Sequence, residues 1–379
     1  MSTSSRAVIS LAAIEANLRA IRARVGGRKV LAPIKANAYG HGAVAVAQMI
    51  EATTVAECLG VATVSEGLEL RAAGITMPIM KLSVARGEEV VQAVSAGITL
   101  PVIDAISVKE TEQAAAAVGQ SVNVQLKVDT GMGRIGCHPA DAPKLAELVA
   151  GSQLLRLSGI FSHMPVSDTP SQDEFSQAQI ALFARTCVQT EAVAGPLLKH
   201  LANSGAVLAH PSSWFDMVRP GIAIYGAYPD PDCPKTVPLR PALEWKTQVS
   251  FVKRVSAGDT VSYGRTWTAV QDSWIATIPV GYGDGYSRLA SNRGRVLIGG
   301  RSYPIAGRIC MDQFMVDLGP HTDVVIGDQV TLIGRDQDEE ITTAEIAQWM
   351  GSIPYEVTCL ITARVQRAWE PAAQPEDGR

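Results

Sequence analysis

Apolar residues recur at two alternating periods along the first 225 or so residues of the chain. After Ser10, a predicted helix N-cap, Ile14, Leu18 and Ile21 follow at helical spacing, and Gly26 ends the run. A short apolar run of strand type comes next, and this alternation repeats along the chain. The runs that we predict to be strands cover residues 29–34, 58–62, 78–82, 98–103, 122–128, 155–161, 199–202 and 218–225.

This alternation indicates an α/β fold. Roughly eight strand–helix units in about 225 residues match the size of a (β/α)8 barrel. An open, doubly wound sheet gives a similar pattern, so periodicity alone leaves both architectures open.

The pattern changes after Gly226. Prolines crowd residues 227–241, which we interpret as a linker. Short β-type runs follow at 247–255, 274–280, 295–298, 314–317 and 324–332, with one helix predicted at 343–350. We therefore predict an N-terminal TIM-like barrel in residues 1–235 and a C-terminal, mostly antiparallel β domain in residues 236–379, with residues 1–11 as candidates to join the β domain.

Composition narrows the class of protein. A hydrophobic fraction of 47% and a net charge of -4 exclude a disordered chain and give no electrostatic footprint for nucleic acid. The six cysteines lack the close spacing of zinc or redox motifs, and no apolar run approaches the roughly 18 residues of a membrane span. The first eleven residues lack the apolar core of a secretory signal. We expect a soluble cytoplasmic protein without a metal site.

The segment GMGRIG at residues 131–136 matches the dinucleotide-binding fingerprint. Three features weaken this interpretation: the next helix is predicted only after Pro139, Arg156 stands where an acid is expected, and the unit comes late in the series. A loop of glycines around Arg134, whose guanidinium could bind an anion, is the better hypothesis.

Polar residues cluster where predicted strands end, which is where barrel enzymes carry their chemistry. Lys35 follows the first strand, and a desolvated lysine there would suit Schiff-base or general-base chemistry. Lys127 is buried by its pattern and needs a partner or a modification. His163, the 203–205 segment Asn-Ser-Gly and the 219–222 segment Arg-Pro-Gly-Ile follow the later strands. In the second domain, tyrosines fall in turns at 262–264, 281–286 and 354–356.

Together these residues resemble the alanine racemase family, which uses pyridoxal 5'-phosphate (PLP) on a barrel-plus-β-domain architecture. The segment PIKANAYGHG at residues 33–42 is similar to the cofactor-lysine signature of that family. Residues 127–136, 219–226, 281–286 and 311–317 agree as well, in the same order along nearly the whole chain.

The resemblance implies a role for each matching residue. Lys35 would bind PLP covalently, and the phosphate would be held by Tyr39, Ser204, Gly221, Ile222 and Tyr355. Arg219 would face the pyridine nitrogen, and His163 would bridge Arg219 to the catalytic Tyr263. Arg134 and the Met311 N–H would bind the substrate carboxylate, with Asp312 in support. Lys127 would be carbamylated and would orient Arg134.

The resemblance further implies a homodimer with shared active sites, because Tyr263 would come from the partner subunit. Lys35 and Tyr263 would be the two bases that interconvert L-alanine and D-alanine, and the cations His163 and Arg219 would favour ionised Tyr263. Asp168, Tyr282, Tyr286, Arg288 and Arg308 match the region of the substrate entrance. The D-alanine would serve peptidoglycan synthesis or alanine catabolism.

Departures from the family pattern concern the pocket. Residues 162–165, Ser-His-Met-Pro, replace the usual Thr-His-Phe-Ala, Ser262 stands where Gly is common, Ser287 where Pro is common, and Gln366 replaces a usual Pro. They put substrate breadth in doubt and leave the proposed bases intact. The alternatives are a PLP-dependent amino-acid decarboxylase of the same fold, a non-catalytic PLP-binding protein and a nicotinamide-dependent dehydrogenase.

Overall fold

The computed structural model describes residues 5–370. Their contacts divide the chain into two compact units. One unit, the barrel unit, comprises residues 14–239. The other, the β unit, combines the N-terminal residues up to Ala13 with the residues from Arg240 onward. The outermost residues of both predicted domains, 1–4 and 371–379, lie outside the described part.

The barrel unit has eight parallel strands arranged almost in the order of the chain, which confirms the predicted fold. β1 (Arg6–Ser10) belongs to the β unit, and the barrel strands are β2 (Lys29–Pro33), β3 (Cys58–Val61), β4 (Ile79–Lys81), β5 (Ile98–Val102), β6 (Val122–Lys127), β7 (Leu155–Phe161), β8 (Leu198–His200) and β9 (Met217–Val218). Each strand from β2 to β7 pairs with the strand that follows it in the chain, and β9 returns to pair with β2. Backbone bonds from Asp216 to Lys199 and from Arg219 to Ala202 link β9 to β8.

The last barrel strand is shorter than predicted. The sequence predicts a strand over residues 218–225, but β9 ends at Val218 and residues Ile222–Tyr225 form a 3-10 turn. Pro220 has no N–H to donate to a ladder, and Gly221, at φ -85 and ψ -97, turns the chain away from the strand direction. Tyr225 then donates its hydroxyl to the Pro33 carbonyl at 2.9 Å.

Helices alternate with these strands as the hydrophobic periodicity predicts. They are α1 (Leu11–Val25), α2 (Lys35–Tyr39), α3 (Ala43–Thr53), α4 (Val64–Ala72), α5 (Glu88–Ser95), α6 (Ala105–Val118), α7 (Ala142–Ala150), α8 (Asp173–Ala194) and α9 (Ser204–Ala209). Ser10 accepts a bond from the Ala13 N–H at 3.2 Å, as expected of an N-cap. Two further helices, α4 and α6, begin with complete capping boxes at Thr63 and Asp104.

The β unit contains mainly antiparallel strands. They are β1 with β10 (Leu243–Gln248), β11 (Phe251–Val255), β12 (Thr260–Val261), β13 (Trp267–Thr268), β14 (Ser273–Ile278), β15 (Arg295–Ile298), β16 (Arg301–Pro304), β17 (Phe314–Gly319), β18 (Gln329–Asp336), β19 (Glu339–Ile341) and β20 (Gln366–Glu370). β1 lies between β10, its antiparallel neighbour, and β20, which runs parallel to it. The N-terminal strand therefore belongs to the sheet formed by the C-terminal part of the chain.

Three predictions for the β unit need correction. The run 247–255 is two strands, because the chain leaves β10 at Gln248 and re-enters a different sheet at β11. The run 324–332 begins as a turn, in which the Asp328 carboxylate accepts the Val325 N–H at 2.8 Å. The helix α10 (Thr343–Met350) lies where it was predicted, but a second helix, α11 (Pro354–Leu360), occupies the segment predicted as a turn.

Tyr286 lies in the core of the β unit and offers a stability test. Its ring stacks on Phe314 at 5.1 Å and meets Trp245 edge-on at 5.8 Å, while its hydroxyl is buried with no hydrogen-bond partner in the described structure. Burial raises the pKa of this hydroxyl, which stays protonated. We expect Tyr286→Phe to leave stability unchanged or to raise it by about 1 kcal/mol, because an unsatisfied buried hydroxyl is removed.

The matched control is Tyr225→Phe, which removes a buried hydroxyl that donates to Pro33 and should destabilise the barrel unit by about 1 kcal/mol. Denaturant titration of both variants measures the difference. A clear loss of stability in Tyr286→Phe would mean that its hydroxyl has a partner in the native protein.

Within residues 5–370, no helix is both long and apolar enough to cross a lipid bilayer. The same residues contain no cluster of three or more side chains suited to hold a metal ion.

Candidate active site

Lys35 opens a turn of unusual handedness at the end of the first barrel strand. The next four residues, 36–39, have φ between 51° and 53°, which is the left-handed helical region. This conformation costs an L-residue roughly 1–2 kcal/mol, so four in succession need strong support. The turn places the Lys35 Nζ 6.0 Å from the centre of the Tyr39 ring.

Hydrogen bonds from three directions support this turn. The Glu66 carboxylate accepts the Ala36 N–H at 2.7 Å, and the Asn37 side chain accepts the Ala43 N–H at 2.8 Å. Gly42 donates to the Asn37 carbonyl at 2.9 Å, and Gly40 supplies the positive φ that closes the turn. Lys35 and Tyr39 are therefore held in fixed relative positions, half-buried and buried respectively.

Tyr39, Ser204 and Gly221 form a small polar cradle. A Cβ on Gly221 would lie 2.8 Å from the Tyr39 hydroxyl and 3.8 Å from the Ser204 Oγ, so only glycine leaves this space open. Ser204 Oγ accepts the Ala223 N–H at 3.2 Å, which draws the Ile222–Tyr225 turn towards α9. The cradle combines two hydroxyls with backbone N–H groups, which is the chemistry that holds a phosphate group.

Arg219 is a buried cation without a carboxylate partner among the described residues. Its guanidinium donates to the Ser162 carbonyl at 2.6 Å, the Leu201 carbonyl at 3.1 Å and the His200 Nδ1 at 2.7 Å. Burial lowers the pKa of Arg219 to about 9, which leaves it protonated at neutral pH. Because an arginine only donates, each of these partners must accept.

This rule fixes the tautomer of His200. Since His200 Nδ1 accepts from Arg219, the imidazole proton lies on Nε2, which donates to the Gln125 Oε1 at 2.5 Å. Burial and the charge of Arg219 lower the pKa of His200 well below its usual value, so the ring is neutral. Gln125 thereby orients His200, and His200 in turn orients Arg219.

We expect Gln125→Leu to destabilise the protein by about 1–3 kcal/mol, because the His200 Nε2–H is left buried without an acceptor. If the proton moves to Nδ1 instead, it faces the Arg219 guanidinium. The Gln125→Glu variant keeps an acceptor and should retain stability. Thermal unfolding of the two variants measures the difference, and equal melting temperatures would refute the tautomer assignment.

His163 lies beside Arg219, with 3.4 Å between His163 Nδ1 and an Arg219 nitrogen. Burial, followed by the charges of Arg219 and Arg134, lowers the pKa of His163 well below its usual value. The expectation that His163 contributes a positive charge is therefore wrong. His163 is a neutral hydrogen-bond acceptor, and Arg219 alone carries the charge of this pair.

Lys127 is a second buried cation position, at the end of β6. Burial, with smaller contributions from Arg219, Arg134 and Lys35, lowers its pKa to about 7. Its Nζ donates to the Leu82 carbonyl at 2.9 Å and lies 4.9 Å from the centre of the Phe161 ring. Near neutral pH much of Lys127 is thus an uncharged amine, which is a nucleophile.

The GMGRIG segment forms a closed loop between β6 and α7. Asp129 Oδ1 accepts the N–H groups of Gly131 at 2.9 Å and Gly133 at 3.1 Å, and Asp129 and Cys137 close the base of the loop. These glycine N–H groups are therefore already used, and α7 begins only at Ala142. A pyrophosphate site of the dinucleotide type is excluded here. Arg134 projects from the loop with no ion-pair partner in the described part of the chain.

These barrel residues share one electrostatic property. Lys35, Lys127, Arg134 and Arg219 are near enough for their positive charges, together with burial, to lower the pKa of His163. A cluster of cations at the carboxyl ends of strands, next to a hydroxyl cradle, is suited to bind a ligand with several negative charges.

The β unit presents Tyr263 in an exposed turn. Tyr263 is 71% exposed and begins the 3-10 turn Tyr263–Arg265. The preceding residue, Ser262, has φ 69 and ψ 177, a conformation otherwise nearly restricted to glycine. A Cβ on Gly264 would lie 3.1 Å from Cζ of Arg308, so the Arg308 guanidinium covers this turn.

Two further turns of the β unit fix the direction of the Met311 N–H. The Cys310 carbonyl accepts from Tyr282 at 3.1 Å, and the Met311 carbonyl accepts from Gly283 at 2.8 Å. In a trans peptide the N–H points away from the preceding carbonyl, so the Met311 N–H points away from Tyr282. Arg364 bridges Asp312 at 2.8 Å and Asp284 at 3.3 Å, which joins the same two turns.

The remaining predicted residues lie in different settings. Asp168 follows β7 beside Gly205, and burial, with Asp230 nearby, raises its pKa. Arg288 and Tyr282 are exposed in the β unit, whereas Tyr286 is buried. Tyr355 lies in the first turn of α11.

Gln125, His200 and Phe161 also belong to the site, although the sequence did not predict them. Gln125 and Lys127 alternate on one strand and so share a face, and this signal was available in the sequence. Phe161 stacks on His200 at 4.9 Å between the two cations, and only the tertiary structure reveals this.

Comparison with known proteins places this arrangement in a family. Residues 9–229 match the family described as alanine racemase, N-terminal domain, and residues 242–369 match alanine racemase, C-terminal domain. The alanine racemase of Cutibacterium acnes is 48% identical over 366 residues, which cover 96% of this chain and 97% of that protein. That of Symbiobacterium thermophilum is 41% identical, over 95% of this chain and 96% of its own length.

Solved structures agree over the full length. The alanine racemase of Streptomyces lavendulae superposes with a TM-score of 0.93 at 38% identity, covering 98% of both chains. The alanine racemase of Bacillus anthracis with bound L-Ala-P gives a TM-score of 0.90 at 34% identity, covering 98% of this chain and 96% of that one. By sequence and by structure, the chain belongs to the alanine racemase family.

Proposed function

We propose that this protein is a PLP-dependent alanine racemase that interconverts L-alanine and D-alanine. The observation that carries the proposal is the group of basic residues formed by the buried Arg219 and Lys127 and the exposed Arg134, beside Lys35 and the open cradle at Gly221. PLP has a lysine-reactive aldehyde and a phosphate, and its substrate has a carboxylate, so the positive groups have matching partners.

When bound, PLP withdraws electrons from the substrate Cα and so makes its proton more acidic. Lys35 would hold it covalently. Tyr39, Ser204, Gly221, Ile222 and Tyr355 would hold its phosphate, and the fit of a phosphate is supported by the space that a Cβ on Gly221 would fill. Arg219 would donate to the ring nitrogen without giving up its proton, because it is still charged at neutral pH.

Arg134 and the Met311 N–H would each bind the substrate carboxylate. Asp312 and Arg364 would support Met311 by linking its turn to the Tyr282 turn. Asp168, Tyr282, Arg288 and Arg308 would line the entrance for the substrate. Tyr286, which is buried and whose N–H donates to the Gly281 carbonyl, would instead support the turn that carries Tyr282.

Racemisation needs one acid/base group on each face of the substrate Cα. We assign Lys35 to one face and Tyr263 to the other. Tyr263 would be supplied by the partner subunit of a homodimer, and its 71% exposure in a single chain supports a role outside its own unit. His163, which is neutral, would orient Arg219 rather than supply charge to Tyr263.

Lys127 is proposed to be carbamylated. A neutral lysine amine attacks CO2, forms an N–C bond and releases one proton, which leaves a carbamate anion. That anion would orient the Arg134 guanidinium. Carbamylation would thus replace a buried cation with an anion that can pair with the neighbouring cations.

The carbamate should form more readily as the pH rises through about 7, because the neutral fraction of Lys127 rises with it. We expect protein equilibrated with 13C-bicarbonate to gain a carbamate 13C NMR signal between about pH 6 and pH 8. The signal should vanish in Lys127→Met and persist in Lys81→Met. Lys81 is the matched control, since its buried ammonium already donates to oxygens of Ala62, Ser83 and Val84. A signal that survives in Lys127→Met would refute this site.

We further propose a cytoplasmic enzyme that makes D-alanine for peptidoglycan or takes part in alanine catabolism. The six cysteines form no disulfide within the described residues, which is usual for proteins of a reducing compartment. The direct test is to incubate the purified protein with PLP and L-alanine and to measure D-alanine by chiral chromatography. Release of CO2 or an amine would favour a decarboxylase, and PLP binding without turnover would favour a non-catalytic protein. L-serine and L-lysine as substrates would set the specificity.

A further inference from the structure

Ser262 immediately precedes the proposed base Tyr263 and has a backbone conformation that suits glycine. Its φ of 69 and ψ of 177 lie in a region that side chains with a Cβ rarely occupy. Such a conformation persists only where surrounding contacts enforce it, and it is often found where function requires a fixed geometry. The contacts of the Ser262 side chain therefore matter for the Tyr263 turn.

The Ser262 hydroxyl supplies the main contact. Its Oγ donates to the Arg308 carbonyl at 2.5 Å. The Cys310 Sγ lies 3.6 Å from the same carbonyl and 3.6 Å from the Ser262 Oγ. One backbone oxygen thus joins the turn that begins at Ser262 to the segment that leads to Met311.

Close backbone packing restricts the same two segments. A Cβ on Gly307 would lie 2.6 Å from the Val261 carbonyl oxygen and 2.7 Å from the Ser262 Cβ. The Gly307 N–H also donates to the Asn292 Oδ1 at 2.6 Å. The segment at 307–311 is therefore held against the Ser262 turn, and neither can shift without the other.

We infer that Ser262 is a positioning residue that sets Tyr263 relative to the Met311 N–H. The inference rests on two proposed roles: Tyr263 acts as a base, and the Met311 N–H donates a hydrogen bond to the substrate carboxylate. The hydroxyl of Ser262 fixes Arg308, and the peptide that carries the Met311 N–H follows three residues later. One subunit thus presents the base Tyr263 and the Met311 N–H, which donates to the substrate carboxylate, as a single rigid element.

The test uses the PLP-loaded enzyme and single-turnover loss of α-deuterium from L-alanine and from D-alanine. Single turnovers are needed because the overall equilibrium constant links the steady-state rates of the two directions. In Ser262→Ala, loss from L-alanine should slow by about tenfold or more, because small displacements of a catalytic group are costly. Loss from D-alanine, which depends on Lys35, should stay within about twofold of wild type.

Ser262→Gly separates positioning from stability. Glycine accepts the φ of 69 without strain but lacks the hydroxyl, so its melting temperature should match or exceed that of Ser262→Ala while loss from L-alanine remains slow. Ser250→Ala is the matched control: it removes a serine hydroxyl that donates to the Thr277 carbonyl at 2.9 Å, and both enantiomers should react at wild-type rates.

Two results would overturn the inference: wild-type exchange of L-alanine in Ser262→Gly, or equal losses for both enantiomers in Ser262→Ala. Tyr263→Phe, measured in parallel, separates this inference from the proposed function. If Tyr263→Phe slows L-alanine selectively and the Ser262 variants do not, only the role of Ser262 fails. If Tyr263→Phe shows no selectivity, the base assignment fails and the role of Ser262 fails with it.

Discussion

Replacing Lys35 with alanine is expected to abolish the visible absorbance of lysine-linked PLP and to lower racemisation by at least about 10³-fold. The substitution removes both the covalent anchor and one of the two proposed bases, and loss of a base alone typically costs 10²–10⁴-fold. Absorbance spectroscopy of the purified variant with added PLP measures the first effect, and chiral chromatography measures the second.

Lys81→Met is the control, because Lys81 is also a buried lysine at a barrel strand end but its ammonium is engaged by backbone and hydroxyl oxygens. It should keep the visible band. A band retained in Lys35→Ala would show that another lysine binds PLP and would refute the assignment.

The Tyr263→Phe variant is expected to lose α-deuterium from L-alanine about 10²–10⁴-fold more slowly in single turnovers, with a much smaller effect on D-alanine. The phenyl ring keeps the shape of the side chain and removes the only group that can transfer a proton. Lys35, which the substitution leaves intact, should continue to act on the other enantiomer. Mass spectrometry of the deuterium content of each alanine enantiomer gives both rates.

Tyr282→Phe is a suitable control, because Tyr282 is an exposed tyrosine of the same unit, at 42%, and is proposed only to line the entrance. It should affect the two enantiomers alike. Equal losses for both enantiomers in Tyr263→Phe would contradict the assignment of opposite faces.

Much of the barrel could be predicted from the sequence, because parallel strands buried on both faces leave short apolar runs between amphipathic helices. Errors occurred where a polar or proline residue stopped a strand early, as at Pro220 after β9. The run 247–255 was predicted as one strand because the change of sheet between Gln248 and Phe251 does not interrupt the run of strand-type residues. Side-chain periodicity reports burial, not the sheet in which a strand is buried.

Only part of the candidate active site could be predicted from the sequence. The motifs around Lys35, Arg134 and Arg219 were visible as polar residues at strand ends, a position that the barrel fold makes meaningful. Gln125 and His200 were missed, since a polar residue inside a strand has no evident role until its partner is known. The positive charge expected on His163 was wrong, because its pKa depends on burial and on cations from other strands.

The sequence by itself determined the order of the helices and strands, the polar and basic residues at the strand ends, and the family resemblance. These features follow from local periodicity and short motifs. The tertiary structure alone decided which donors face which acceptors. It set the left-handed turn after Lys35, the tautomer of His200 and the tether from Ser262 to Arg308. These features join residues distant in sequence, so their protonation and strain depend on packing rather than on neighbours along the chain.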